Sequence, residues 1–425
     1  MIQVSMSKIN DKPLRILMPS YRSHPFTGGQ GIYMRLVTKA MVELGHTVEV
    51  VSGQPYPILD KGVKLTKLPS LDLYSFNNPL KAFRFDLLKE PINLYEWLSH
   101  LSGGFSEPYT FGERMAIWGK ENYKRFDVVH DNQTLAYGLI KLRDMGVPVV
   151  GTIHHPITMD KRIDIKHAET LSLKLLKWRW YSFLKMQIKV ARKLDPIIVV
   201  SENTRKDVVK DFKIDPKKTR KVLHGIDHKT FEPIPSIKRK KNQLITTASA
   251  DVPLKGLIYL IRAYSELLNE FPDLSLVVIG KLRDGPTSNE LDKKDIKNKV
   301  KFISDLTSRE IAELYAESTI AISPSVYEGF GFPAGEAMSC GIPLISTNGG
   351  SLPEVVGDSG IIVPHSNPNE LRKAIKELLL SPEKRKELGE KGRKRVLEKF
   401  TWKRAAKELV EVYREAISNA DNRSR

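Results

Sequence analysis

A chain of two Rossmann-like α/β domains facing each other across a cleft is predicted here, on three observations. The chain has 425 residues, too many for one core when domains cluster near ~100–200 residues. Short apolar strands alternate with helix-length segments, which implies mainly parallel sheets. The alternation also runs twice, broken at Pro233–Asn242 (PIPSIKRKKN), where prolines and four consecutive cations mark a linker. The expected division is 1–232, a linker at 233–242, 243–399, and a last helix and tail at 400–425.

The first half opens with an apolar strand at Leu14–Ser20 and a glycine loop, Thr27–Gly28–Gly29–Gln30–Gly31. A helix follows, with Ile32, Leu36, Val37, Ala40 and Leu44 near helical spacing and Gly45 at its end. His46–Ser52 reads as the next strand, which completes the opening of a Rossmann-like unit. Further strands are expected at Asp127–His130, Val147–His154 and Pro196–Ser201, with a helical insertion over Leu80–Lys124.

In the second half, strands are expected at Leu244–Ala250, Leu274–Gly280, Val300–Ile303 and Thr319–Ser323. Helices are expected at Leu257–Phe271 and Ser308–Glu317, and a final one at Trp402–Ala420 with Ala405, Leu409, Val412 and Tyr413 on its apolar face.

Composition sets the class. Hydrophobic residues make up 41%, as in an ordinary globular protein. The single cysteine, Cys340, rules out an internal disulfide and reads as a buried packing residue. With no long uncharged apolar run and no apolar leader in Met1–Lys12, the expected location is the cytoplasm. The net charge of +18 fits nucleic acid, anionic lipid, phosphorylated substrates or a lysine-rich, heat-adapted surface. Lys161–Lys193 carries ten Lys/Arg against two acids, interleaved with Leu171, Leu173, Leu175, Leu176, Trp178 and Trp180. Such a segment suits either an anionic membrane, peripherally on its inner face, or a core helix with a solvated basic side. No nucleic-acid motif accompanies it, so no nucleic-acid partner is expected.

The chemistry is concentrated in Ser323–Gly341 (SPSVYEGFGFPAGEAMSCG). Gly329 and Gly331 let backbone approach a ligand closely. Pro333 suits the first helical position and Gly341 the helix end. Glu336 is then expected in the first helical turn and Glu328 in the loop before it, both facing the carboxyl end of the sheet. Free amides at that helix start can hold phosphate oxygens. On spacing alone, a dipole-stabilising Glu336 and a solvated Glu328 fit equally well. His130–Asp131, at a strand end, are candidates for the acceptor side or plain polar loop residues. No histidine shows metal-ligand spacing, and no D-x-D triplet occurs, so no metal or cofactor is expected.

The pair Glu328–Glu336 forms an E-x7-E, and its setting resembles the signature of glycosyltransferase family four, the retaining GT-B enzymes. The likeness extends to Gly28–Gly29 with Gly45–His46–Thr47–Val48, to Val199–Val200–Ser201–Glu202, to Gly225–Ile226–Asp227, to Lys255–Gly256, to Gly341–Ile342–Pro343 and to Pro353–Glu354–Val355. It spans residues 14 to about 413. The resemblance implies a retaining transfer of a hexose from a UDP- or GDP-linked donor, a substrate rather than a cofactor, to a glycan, lipid-linked or small-molecule acceptor. It implies that Glu336 holds the donor ribose and Glu328 the transferred sugar, and that Phe330, Gly331 and Phe332 offer backbone amides. Lys255 would neutralise the diphosphate, Gly28 and Gly29 would approach it from the other domain, and His154 would face the donor sugar. The C-terminal helix would return to the N-terminal domain. Similar enzymes usually place an arginine a few residues before the lysine, forming a two-cation clamp. Here that stretch, Thr247–Lys255, has none, leaving Arg283, Lys281 or Lys255 alone. A phosphorylase, an epimerase or a non-catalytic sugar-nucleotide-binding protein would share the architecture.

Overall fold

Runs of aliphatic and β-branched residues, covered on both faces, make the strands of this protein, as parallel sheets require. The computed structural model describes residues 12–25, 29–75, 80, 83, 85–248 and 252–423. Among them, the first sheet holds β1 (Arg15–Ser20), β2 (Thr47–Ser52), β3 (Val63–Lys67), β4 (Val128–Asn132), β5 (Val149–Ile153), β6 (Ile197–Val199) and β7 (Thr219–Lys221). Their spatial order is β3-β2-β1-β4-β5-β6-β7. The second sheet holds β8 (Gln243–Thr247), β9 (Ser275–Ile279), β10 (Val300–Ile303), β11 (Ile320–Ser323), β12 (Leu344–Thr347) and β13 (Ile361–Val363), in the order β10-β9-β8-β11-β12-β13. The described ladders are parallel.

The two Rossmann-like halves expected from the alternation are present. The expected insertion over Leu80–Lys124 contains helices Pro91–Leu101 and Glu107–Asn122, the second burying Phe111, Met115 and Ala116 on the first sheet. In the first helix, Gly29–Glu43, the buried stripe is Tyr33, Met34, Val37, Ala40 and Met41, and Leu36 is only half-buried. Strands β3, β7, β12 and β13 extend the sheets beyond the expected ones.

Chain crossings tie the halves together. The segment Phe400–Trp402 runs beside Gly225–Ile226, where the Ile226 amide donates to the Phe400 carbonyl at 2.7 Å. Gly225 is required there, because a Cβ would lie 2.5 Å from the Trp402 nitrogen. Helix Trp402–Arg423 then crosses back onto the first sheet, burying Trp402, Ala405, Ala406, Leu409 and Tyr413 against Ile16, Met18, Tyr33 and Met34.

A buried polar contact locks this helix. The Tyr413 hydroxyl lies 2.5 Å from His130 Nδ1, and His130 Nε2 lies 2.6 Å from Thr152 Oγ1. Burial pushes the His130 imidazole down to about 3, so the ring is neutral, with one nitrogen donating and the other accepting. Tyr413→Phe is therefore expected to cost roughly 1–3 kcal/mol, measured by urea unfolding, because it leaves a buried ring nitrogen without its partner.

Candidate functional site

Strand order reverses between β1 and β4 in the first sheet and between β8 and β11 in the second. Loops leaving the carboxyl ends of strands at such reversals diverge and open a crevice. In the second domain the loop after β8 carries Lys255 and the loop after β11 carries Glu328. The Val326 amide donates to the Leu254 carbonyl at 2.8 Å, holding these loops side by side. Gly256 allows the approach, since it is left-handed (φ +62°) and a Cβ would sit 2.2 Å from the Pro324 carbonyl oxygen.

Lys255 Nζ donates to Glu328 Oε1 at 2.6 Å, and Ser325 Oγ donates to the same oxygen at 2.8 Å. The Glu328 carbonyl accepts from the Ser351 amide at 3.0 Å and from Ser351 Oγ at 3.1 Å. The acid is thus fixed at both backbone and side chain, while its second oxygen has no partner among the described residues.

Gly331 turns the chain with φ +97° into helix Phe332–Ser339. Pro333 is the second helical residue rather than the first, so Glu336 is the fifth and lies just past the first turn, a correction to its expected place. A left-handed glycine one step earlier is a sufficient helix start, and the proline fits within the first turn anyway. Gly341 follows the C-cap Cys340 with φ +67°, as a helix end requires. The amides of Gly329, Phe330, Gly331 and Phe332 find no acceptor among the described residues. The Glu336 carboxylate likewise has no hydrogen-bond or ion-pair partner among them. Part of Glu336 stays accessible, but its carboxyl lies deep among surrounding atoms; burial first, and Asp227 second, push it up to about 7.

His154 follows β5 on the opposing domain. Its Nε2 lies 2.6 Å from Asn132 Oδ1 and its Nδ1 3.0 Å from His224 Nε2. Burial first, then His224, holds its pKa well below the usual imidazole range, and burial pushes His224 down to about 3. Both rings are neutral. The arrangement that satisfies all three groups has His224 Nε2–H donating to His154 Nδ1 and His154 Nε2–H donating to Asn132 Oδ1. Both ring nitrogens of His154 are thereby engaged by protein.

The two domains meet at the signature loop. A Cβ on Gly329 would lie 2.3 Å from the His154 carbonyl oxygen. Ser201 Oγ and Thr204 Oγ1 approach the Gly329 carbonyl at 3.2 and 3.3 Å. The Glu202 amide and Lys221 Nζ donate to Glu354 at 2.6 and 2.9 Å, and the Tyr327 hydroxyl donates to Asp207 at 2.7 Å. Phe330 is buried and Phe332 half-buried, with the Phe332 ring stacked on His224 at 5.4 Å, so their side chains turn into this seam.

Gly28 lies outside the described residues. Gly29 begins the first helix, where a Cβ would lie 3.5 Å from the Phe332 ring, so it faces the second domain. His130 and Asp131 do not line the cleft: both are fully buried. His130 is held by Tyr413 and Thr152, and Asp131 Oδ2 accepts the Leu135 amide at 2.8 Å. Burial pushes the Asp131 carboxyl up to about 7. Of the expected substitutes for the missing arginine, Lys281 pairs with Asp305 at 2.9 Å. Arg283 is exposed, with no ion pair among the described residues. Sequence reasoning gave no site role to Asn132 or His224, and matched Ser325 to the family only as part of Pro324–Ser325. His224 directly precedes the Gly225–Ile226–Asp227 motif, and Ser325 lies three residues before Glu328; proximity to those motifs was the available signal.

Two parallel α/β sheets opposed at their reversal points, with a final helix returning to the first, define the GT-B class of nucleotide-sugar enzymes. Residues 27–230 match Glycosyltransferase Family 4, and residues 229–395 match Glycosyl transferases group 1. The chain is 42% identical over 410 residues, 95% of its length and 99% of the relative's, to an MMP alpha-(1->4)-mannosyltransferase from Mycolicibacterium hassiacum. It is 27% identical over 325 residues to a D-inositol 3-phosphate glycosyltransferase from Streptomyces bingchenggensis, covering 71% of this chain and 70% of that one. Among solved structures, a sucrose-phosphate synthase from Thermosynechococcus elongatus superposes with TM-score 0.71 at 20% identity, covering 96% of this chain and 100% of that one. Anabaena HepE in complex with UDP and glucose superposes with TM-score 0.69 at 15% identity, covering 95% and 100%. This chain belongs to the group 1, family 4 glycosyltransferases.

Proposed function

We propose that this glycosyltransferase moves mannose, with retention of its α configuration, from a nucleoside-diphosphate donor to a hydroxyl of a glycan acceptor, without a resident divalent metal. The observation that carries the reading is the grouping of Lys255, Glu328 and four unpartnered amides around one helix start, with the unpartnered Glu336 a turn further on. The choice of mannose rests on the 42% identity to a protein named for α-(1→4) mannosyl transfer.

In this scheme Glu336 accepts hydrogen bonds from the ribose hydroxyls, and the amides of Gly329–Phe332 cradle the diphosphate at the positive end of the helix. As the C1–O bond to phosphate breaks, negative charge collects on the departing diphosphate, and Lys255 with those amides stabilises it where it develops. The acceptor oxygen bonds to C1 on the same face, and its proton passes to the departing phosphate oxygen. Glu328 offers its free oxygen to a sugar hydroxyl while Lys255 and Ser325 hold the other. His154, neutral and doubly hydrogen-bonded, shapes the wall rather than moving a proton. The absence of a D-x-D triplet supports the metal-independent form.

The test is a donor screen of GDP- and UDP-linked mannose, glucose and N-acetylglucosamine with an α-mannoside acceptor, run with and without EDTA. An α-linked mannosyl product formed equally with chelator is expected. A β-linked product, or transfer of glucose alone, would refute the reading.

Contact with an anionic membrane through residues 161–193 rests on a separate observation. Within that segment, helix Leu184–Lys193 buries Leu184, Val190 and Ala191, whereas helix Leu171–Trp180 fully buries no residue and packs inward mainly through Trp180. Leu171 is 73% exposed, Leu175 62% and Trp178 56%, beside Lys174, Lys177 and Lys161, whose ammonium sits 3.8 Å from the Trp178 ring centre. Apolar side chains ringed by cations suit an anionic lipid surface. Cosedimentation with phosphatidylglycerol vesicles is expected, with loss in a Leu171→Ser, Leu175→Ser, Trp178→Ser variant. Equal partition of variant and parent would remove the assignment.

A further inference from the structure

At the end of helix Phe332–Ser339 opposite the crevice lies a cavity of about 870 Å³. One wall is helix Pro382–Lys399, which supplies Arg385, Lys386, Arg393 and Lys394; the linker supplies Arg239. Against these five cations stand two lining acids, Glu390 and Glu398. Pro233, Pro382 and Leu397 add carbon surface.

The arginines are oriented but not neutralised. Arg239 donates to the Gly341 carbonyl at 3.0 Å. Arg385 donates to the carbonyls of Leu378 and Leu379. Arg393 donates to those of His228, Phe231 and Ser339. Among the described residues no carboxylate comes within ion-pair distance of Arg239, Arg385, Lys386 or Arg393, and Lys394 reaches Glu398 only at 4.0 Å. Arg239 keeps part of its surface exposed, while crowding by surrounding atoms first, and the neighbouring Arg385 second, lower its affinity for its proton.

We propose that this cavity is a second anion site, separate from the donor crevice, which binds a small organic phosphate ester. Planar guanidinium forks match phosphate oxygens two at a time. The cavity volume suits a small molecule, and the carbon walls suit the group that carries the phosphate. The occupant would touch Pro233 and Arg239 in the linker and Gly341 behind the helix that carries Glu336, so it would join the linker to the second domain.

Calorimetric titration of the full-length protein with inorganic pyrophosphate tests this. Because pyrophosphate also suits the donor crevice, the titration is repeated in Lys255→Ala. One site is expected to survive there and to weaken about tenfold or more on adding Arg239→Gln, or Lys386→Gln with Lys394→Gln. The two lysines are exposed, so folding is not at stake in that variant. Loss of all pyrophosphate binding in Lys255→Ala would overturn the proposal. So would a surviving site indifferent to both sets of changes.

Discussion

Replacing Glu336 by alanine is expected to weaken donor binding by roughly 10- to 100-fold for each ribose hydrogen bond lost, since bonds to a charged acceptor are worth about 1.5–3 kcal/mol. The site makes a further demand on pH. In the empty protein burial holds this carboxyl at about 7, so it is mostly protonated below that value and ionised above it. Only the ionised form accepts from both hydroxyls with both oxygens. Donor affinity should therefore be greatest above about 7 and fall as pH drops through it, with the midpoint pulled lower in the complex because the donor favours the ionised acid. Glu336→Gln should flatten the profile, retaining one acceptor at every pH. Fluorescence titration with the preferred nucleotide across this range reads both effects. An alanine variant that binds as tightly as the parent would sink the ribose role.

Lys255→Ala is expected to lower kcat by about 10²- to 10³-fold, the usual cost of removing a preorganised charge from a leaving group. The same change strips Glu328 Oε1 of its ammonium partner at 2.6 Å, so the acid loses its clamp and gains freedom. Binding should separate two contributions. The nucleoside diphosphate should weaken by an order of magnitude or more, whereas the bare nucleoside, anchored at Glu336, should be almost unaffected. Equal weakening of both ligands would show that the lysine supports the loop and does not meet phosphate. Lys255→Arg restores charge with a different shape, and partial recovery of kcat would separate charge from position.

Much of this architecture was legible because its signals are local. The opening strand, the end of the first helix at Gly45 and the run into β2 follow from periodicity and one left-handed glycine. Strand β3, VKLTK, escaped because it lies at a sheet edge, none of its residues is fully buried, and polar and apolar side chains alternate. Strand β7 is three residues long, TRK, and carries no hydrophobic signal at all. His130 and Asp131 misled for the opposite reason. Polar residues at a strand end usually face the ligand, but here the returning helix places Tyr413 over His130, a contact separated by 283 residues that no local pattern could report. The E-x7-E spacing located both acids, but their surroundings depend on partners far along the chain. Ser351 reaches the backbone of Glu328, and His224 reaches the ring of His154.

The return of Trp402–Arg423 to the first sheet also bears on how the molecule is made. During synthesis, the apolar groove beside Ile16, Met18 and Met34 stays uncovered until helix Trp402–Arg423 has left the ribosome. The second sheet waits almost as long, because Val396 and Phe400 help fill one of its faces. The first domain therefore cannot mature until the residues that follow the second have been made.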